Sequence, residues 1–231
     1  MMATLAERFF TPVEQRQIIR TVQRVEQQTS GEIVPMVVSA SHAYPEAIQT
    51  AAAALALAAG LLATLTIGPL LWWRGELLWL FLFCFPLFFL IARAVVPSLP
   101  WLQRLFLDRR LAEAEVERAA FTTFYTEGLH ATREATGVLI YISVLERRVW
   151  ILGDRGINAR IEPRSWQEFV DRLILGIREG QQCEALCEVI EEIGGLLHER
   201  FPVRADDRNE LADLVIAEAD GAARASRLLI R

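Results

Sequence analysis

No lysine occurs in this chain; all 24 basic residues are arginine. That excludes Schiff-base catalysis and a lysine-bearing phosphate loop, since both depend on that side chain. Cysteine is scarce, with three residues, Cys84, Cys183 and Cys187. Cys183 and Cys187 share a helix face, but with no histidine at ligand spacing they make a poor zinc site and read as core packing. Met1 to Phe10 lacks a basic start followed by an apolar run, so no cleavable signal peptide is expected. The net charge is −5 and the arginines are scattered among acids, which is not the basic footprint of a nucleic-acid binder. A catalytic triad, a zinc motif and a phosphate-cradling glycine loop are missing as well.

Charge itself is absent between Glu46 and Arg74. Ile48 to Ile67 is one apolar run of about 20 residues, the length of a helix crossing a hydrocarbon core. After Trp72-Trp73-Arg74-Gly75-Glu76, Leu77 to Val96 forms a second run of the same length. Two spans joined by so short a turn make a helical hairpin, because each must satisfy its backbone hydrogen bonds internally in lipid. Trp72, Trp73 and Trp79 suit one interface, and Trp101 the other. The spans offer only Thr64, Thr66, Cys84 and small residues as polar groups, so a transport path is not expected.

Outside this block, Thr11-Pro12-Val13-Glu14 starts a helix as a capping box with proline at its first position. Ile18, Val22 and Val25 form its apolar stripe. Glu32 to Ala40 is a strand apolar on both faces, as in a strand covered on both sides. Its Pro35 argues against a fully paired central position. Pro97-Ser98-Leu99-Pro100 breaks the chain after the hairpin, and Trp101 to Glu127 reads as one helix in which Arg109 and Glu113 are placed to pair. Gly137 to Val144 and Arg148 to Leu152 are strands joined by a tight turn at Leu145-Glu146-Arg147. Gly153 to Ile157 reads as a glycine-flanked loop. A helix from Pro163, a separator at Gly180 and a helix from Cys183 to His198 follow, stopped by Phe201-Pro202.

A single strand is not a domain. Glu32 to Ala40 must therefore pair with the strands after the hairpin. The expected fold is α/β, a small mixed sheet between helices, interrupted by a two-helix transmembrane hairpin. The discontinuous α/β domain is placed at 10–45 and 118–202, the hairpin at 47–96, a juxtamembrane helix at 97–117 and a polar tail at 203–231.

Four ordered segments, Thr29-Ser30-Gly31-Glu32-Ile33-Val34, Gly137-Val138-Leu139-Ile140, Glu146-Arg147-Arg148-Val149 and Gly153-Asp154-Arg155-Gly156-Ile157, resemble the TPM domain family. The resemblance covers roughly Phe10 to Ala43 and Arg118 to Phe201. It implies an α/β sandwich and a bacterial-type membrane-anchored member. It implies a role as a binding or quality-control accessory to membrane proteins or, alternatively, a metal-dependent acid phosphatase, the activity assigned to a plant member. Many members carry Asp-Asn where this chain has Ala135-Thr136, and Gly-Tyr-Gly where it has Gly153-Asp154-Arg155-Gly156.

Ligands of open α/β sheets favour the crevice beyond the carboxyl ends of the strands. Ser41 and His42 follow the first strand, and Asp154 and Arg155 follow the third. These four residues form the candidate cleft, with Asp154 and Glu134 as candidate ligands of Ca2+ or another divalent metal. The expected partners are the lipid bilayer and a membrane protein, with no nucleic acid. Arg93, Arg104, Arg109 and Arg110 flank the second span on the domain side, against Arg74 alone at the turn. The positive-inside rule then places a multi-pass protein in the inner membrane with both termini and the α/β domain cytoplasmic. Three unpaired cysteines suit that reducing compartment.

Overall fold

The first helix, α1 (Pro12–Glu26), begins as its sequence requires: the Thr11 side chain accepts from the Glu14 N–H and the Glu14 carboxylate accepts from the Thr11 N–H, a complete capping box. The computed structural model describes residues 4–70, 77–132, 135–202, 211–217 and 228–230. They divide into two units, Met1–Ala43 with Ala112–Arg231, and Tyr44–Leu111.

In the first unit the sheet runs β3-β2-β1-β4-β5, built from β1 (Glu32–Val38), β2 (Gly137–Ser143), β3 (Arg148–Gly153), β4 (Leu214–Ala217) and β5 (Leu228–Ile230). β1 and β2 pair in parallel from Glu32–Gly137 to Val38–Ser143, although the hairpin segment separates them in sequence. β4 also runs parallel to β1, while β3 and β5 are antiparallel to β2 and β4.

Strand side chains alternate between faces. One face of the sheet sends Ile33, Val37, Val138, Ile140 and Ile142 into a core with Ile18 and Val22 of α1, Phe169 and Leu173 of α7 (Pro163–Glu179), and Leu186, Ile190 and Ile193 of α8 (Gln182–Arg200). The other sends Val34, Met36, Leu139 and Tyr141 against Val116, Ala120 and Phe124 of α5 (Arg109–Thr126). Gly194 lies where α8 meets Val25 of α1, and a Cβ there would run into the Val25 side chain. Cys183 and Cys187 are buried free thiols in the first core, and Gly180 ends α7 in the left-handed conformation at φ 77°.

β1 is central but, as Pro35 requires, not fully paired: its pairing with β4 begins only at Met36, and the proline is opposed on the β2 side by Ile140. Three expectations are corrected here. The stretch expected as a polar tail contains β4, whose four residues are all buried, and β5. The expected glycine-flanked loop holds a short helix, α6 (Arg155–Asn158). The single helix expected from Trp101 is broken at extended Leu107 into α4 (Pro100–Phe106) and α5, with Asp108 Oδ1 accepting the Arg110 N–H at 2.8 Å. Glu113 on α5 faces Arg148 across 3.7 Å.

In the second unit α2 (Pro45–Leu70) and α3 (Leu77–Val95) are long and apolar enough to cross a membrane. Small residues of α2 make the close approach: Ala52 and Ala56 are buried, and a Cβ on Gly60 would stand 3.4 Å from the Phe81 ring and 3.6 Å from the Phe85 backbone. The Thr64 hydroxyl donates to the Gly60 carbonyl at 2.8 Å, so its polar group is satisfied within the helix. The large side chains turn outward, with Leu62 64%, Leu78 66% and Phe83 71% exposed. A core helix of a soluble protein would bury them. Trp72, Trp73 and Arg74, expected at the turn, lie outside the described residues.

Candidate functional site

The carboxyl ends of the two parallel central strands carry a hydrogen-bonded polar cluster. Beyond β1, Ser41 N–H donates to Glu146 Oε1 at 2.7 Å, and Ser41 Oγ donates to Ser143 Oγ at 3.0 Å. Ser143 Oγ in turn donates to Glu146 Oε2 at 2.5 Å, and Ser41 Oγ lies 3.3 Å from the Tyr141 hydroxyl. Burial pushes the Tyr141 phenol up to about 12; its hydrogen bond with Ser41 pulls the other way, and the Glu146 charge adds to the rise. The cluster ties the exit of β1 to the β2–β3 turn, and it keeps the Ser143 hydroxyl, fully buried, supplied with partners. Ser41 and His42 are both half-buried here.

Asp154 and Arg155 lie elsewhere. β3 is antiparallel to β2, so its carboxyl end sits beside Gly137, where the Asp154 N–H donates to the Gly137 carbonyl at 2.9 Å. Ser41 lies beyond the Ser143 end of the same strand. Six residues of strand separate the two ends, about 20 Å at 3.3 Å per residue. Ser41, His42, Asp154 and Arg155 therefore do not line one cleft. Glu134 is outside the described residues.

Asp154 is the N-cap of α6: its Oδ1 accepts the Arg155 N–H at 2.6 Å and its backbone is extended. Its Oδ2 is buried without a hydrogen-bond partner. One available carboxylate oxygen falls short of the six to eight oxygens of a calcium site, and among the described residues no three His, Cys, Asp or Glu side chains gather to hold a metal. The described residues do not fit a divalent cation here. Asp154→Ala should consequently cost about 0.5–2 kcal/mol, the loss of a cap. The loss should be the same in melting curves with chelator and with excess Ca2+; a calcium-dependent loss would make Asp154 a ligand.

A third feature lies along β3, the outer strand of the sheet, and sequence reasoning missed it. A groove of about 430 Å³ follows Arg148 to Gly153, with Glu113, Val116 and Phe121 of α5 on one side and Trp166, Val170 and Asp171 of α7 on the other. Trp166 Nε1 is buried without a hydrogen-bond partner. The signal available in the sequence was weak: a strand with alternating neighbours gives no sign of which edge stays open.

Residues 104–196 match the family model for the TPM domain. That segment is similar to a TPM domain. The whole structure is similar to the NMR structure of the BA42 protein from the psychrophilic bacterium Bizionia argentinensis, with a TM-score of 0.56 and 21% identity over 94% of this chain and 100% of that chain. At that identity the likeness concerns the fold. No curated protein matches. The matched residues include β2, β3, α6, α7 and most of α8, while β1, which completes the parallel pair, precedes them in sequence.

Proposed function

We propose that the chain is a membrane-anchored binding module, an accessory that holds a folded TPM domain at the membrane face to engage membrane proteins. The observation that carries this reading is the position of the apolar helices. They are inserted in sequence between β1 and β2, the parallel strands that pair with each other from Glu32–Gly137 to Val38–Ser143. An anchor placed there cannot be cleaved from the domain without cutting the sheet's own connection. Inner-membrane placement with a cytoplasmic domain is supported by Arg93, Arg104, Arg109 and Arg110 flanking the second apolar helix.

The reading is tested by crosslinking in intact cells followed by mass spectrometry, with membrane proteins expected among the products. Recovery of soluble proteins alone would oppose it. Hydrolysis of a generic phosphate ester by the purified protein, dependent on added Ca2+, Mg2+ or Mn2+, would favour the metal-dependent phosphatase instead. Orientation has its own measurement. A reporter fused after Arg231 should be active if it requires the cytoplasm and silent if it requires the outside, and the reverse result would invert the topology.

A further inference from the structure

The hydrogen-bond phase of the β2–β3 ladder is fixed by the Asp154 N–H bonding to the Gly137 carbonyl at 2.9 Å. In an antiparallel pair such bonded positions alternate with positions whose backbone groups point away. Arg148, Trp150 and Leu152 therefore bond inward to Ser143, Tyr141 and Leu139, while Val149, Ile151 and Gly153 turn their N–H and C=O groups outward. The Gly153 carbonyl accepts from Asn158 Nδ2 at 2.6 Å. Among the described residues the outward groups of Val149 and Ile151 have no such partner. Edge strands are commonly blunted by proline, lysine or inward charges, and Arg148-Val149-Trp150-Ile151-Leu152 has a charge only at its start.

We propose that this edge is a strand-addition site, which takes an extended segment of a partner protein with apolar residues at alternate positions and an arginine or lysine among the others. The proposal rests on the reading of the chain as a binding module and names where and how it binds. Three features favour that occupant. Main-chain groups of an extended peptide match the outward groups of Val149 and Ile151, and the apolar walls formed by Val116, Phe121, Trp166 and Val170 accept its alternate side chains. A peptide carbonyl supplies the acceptor that the buried Trp166 Nε1 lacks. The charge is complementary: Glu113 is opposed by Arg148 at 3.7 Å, whereas Asp171 is bonded to the neutral Gln167 amide and leaves the groove acidic. A second copy of the chain fits less well, because its own β3 lies between the same two helix walls, and two recessed edges do not meet.

The test is hydrogen exchange on the full-length protein in detergent, with and without a pool of blocked octapeptides alternating Val, Ile, Leu or Phe with Thr or Arg. The Trp150 and Leu152 amides should be protected throughout. The Val149 and Ile151 amides should exchange freely alone and slow at least about tenfold with peptide, as pairing removes them from water. Asp171→Asn, at an exposed position, should weaken binding of arginine-containing peptides several-fold and leave arginine-free peptides unchanged. Peptides N-methylated on the amides facing β3 should not bind, whereas methylation of the other amides should be tolerated. Absence of protection at saturating peptide overturns the proposal, as does binding insensitive to the methylation pattern. Protection of Val149 and Ile151 that rises with protein concentration in the absence of peptide assigns the edge to a second copy and also overturns it. None of these readouts depends on membrane insertion or on partners found in cells, so failure here leaves the anchoring reading standing.

Discussion

Ending the chain after Phe201 should unfold the α/β unit. The shortened chain keeps every helix of the unit but loses β4, whose Leu214 and Ile216 belong to the helix-packed core and whose Leu214, Val215 and Ile216 are at most 3% exposed. Burying such side chains is worth about 1.5–3 kcal/mol each, so the loss is of order 4.5–9 kcal/mol before any relaxation. Domains of this size are stable by about 5–15 kcal/mol in total. The truncation also removes Asp213, which accepts from the Gln23 side chain at 2.7 Å, and opens the Met36–Val38 edge of β1. Urea titration monitored by circular dichroism is the measurement, with no cooperative transition expected. A truncated chain that melts like the full one would mean that β4 is dispensable.

The second large effect is expected from Glu146→Ala. Its carboxylate accepts from the Ser41 N–H and from the fully buried Ser143 hydroxyl. Alanine leaves both donors without that acceptor; an unsatisfied buried group such as the Ser143 hydroxyl costs about 1–3 kcal/mol, and the half-buried Ser41 N–H adds a smaller loss. A loss of about 1–4 kcal/mol follows, with Glu146→Gln recovering part of it because one amide oxygen still accepts. A loss below about 0.5 kcal/mol, the range of ordinary surface substitutions, would show that water replaces the carboxylate and that the cluster does not tie β1 to the turn.

Much of this fold was legible in the sequence, and the failures have physical causes. The capping box at Thr11, the αL glycine at Gly180 and the two-faced apolar strand at Glu32 are local signals, and each sits where its chemistry demands. Pairing of β1 with β2 followed from the inability of a lone strand to stand by itself. β4 was hidden because a four-residue apolar run between polar stretches is too short to show a period. Pro35 was a local signal as well: a proline is excluded where its missing N–H is needed, and β4 pairs with β1 only beyond it.

The candidate site failed for a reason already written in the chain. The tight turn at Leu145-Glu146-Arg147 demands an antiparallel β3, which sends Asp154 to the opposite end of the sheet from Ser41. The groove along β3 was not legible, since it depends on strand order and on two helices distant in sequence, α5 and α7.

The central claim is that one α/β domain closes across an inserted pair of long apolar helices. It is tested most directly by replacing residues 44–111 with a flexible glycine-serine linker and keeping everything else, including β4 and β5. The two cores assigned to the sheet draw all their members from outside the replaced segment. The account predicts a protein recovered from the soluble fraction that melts in one cooperative transition. A chain that is unfolded when soluble, or that stays with the membrane without its apolar helices, would contradict it.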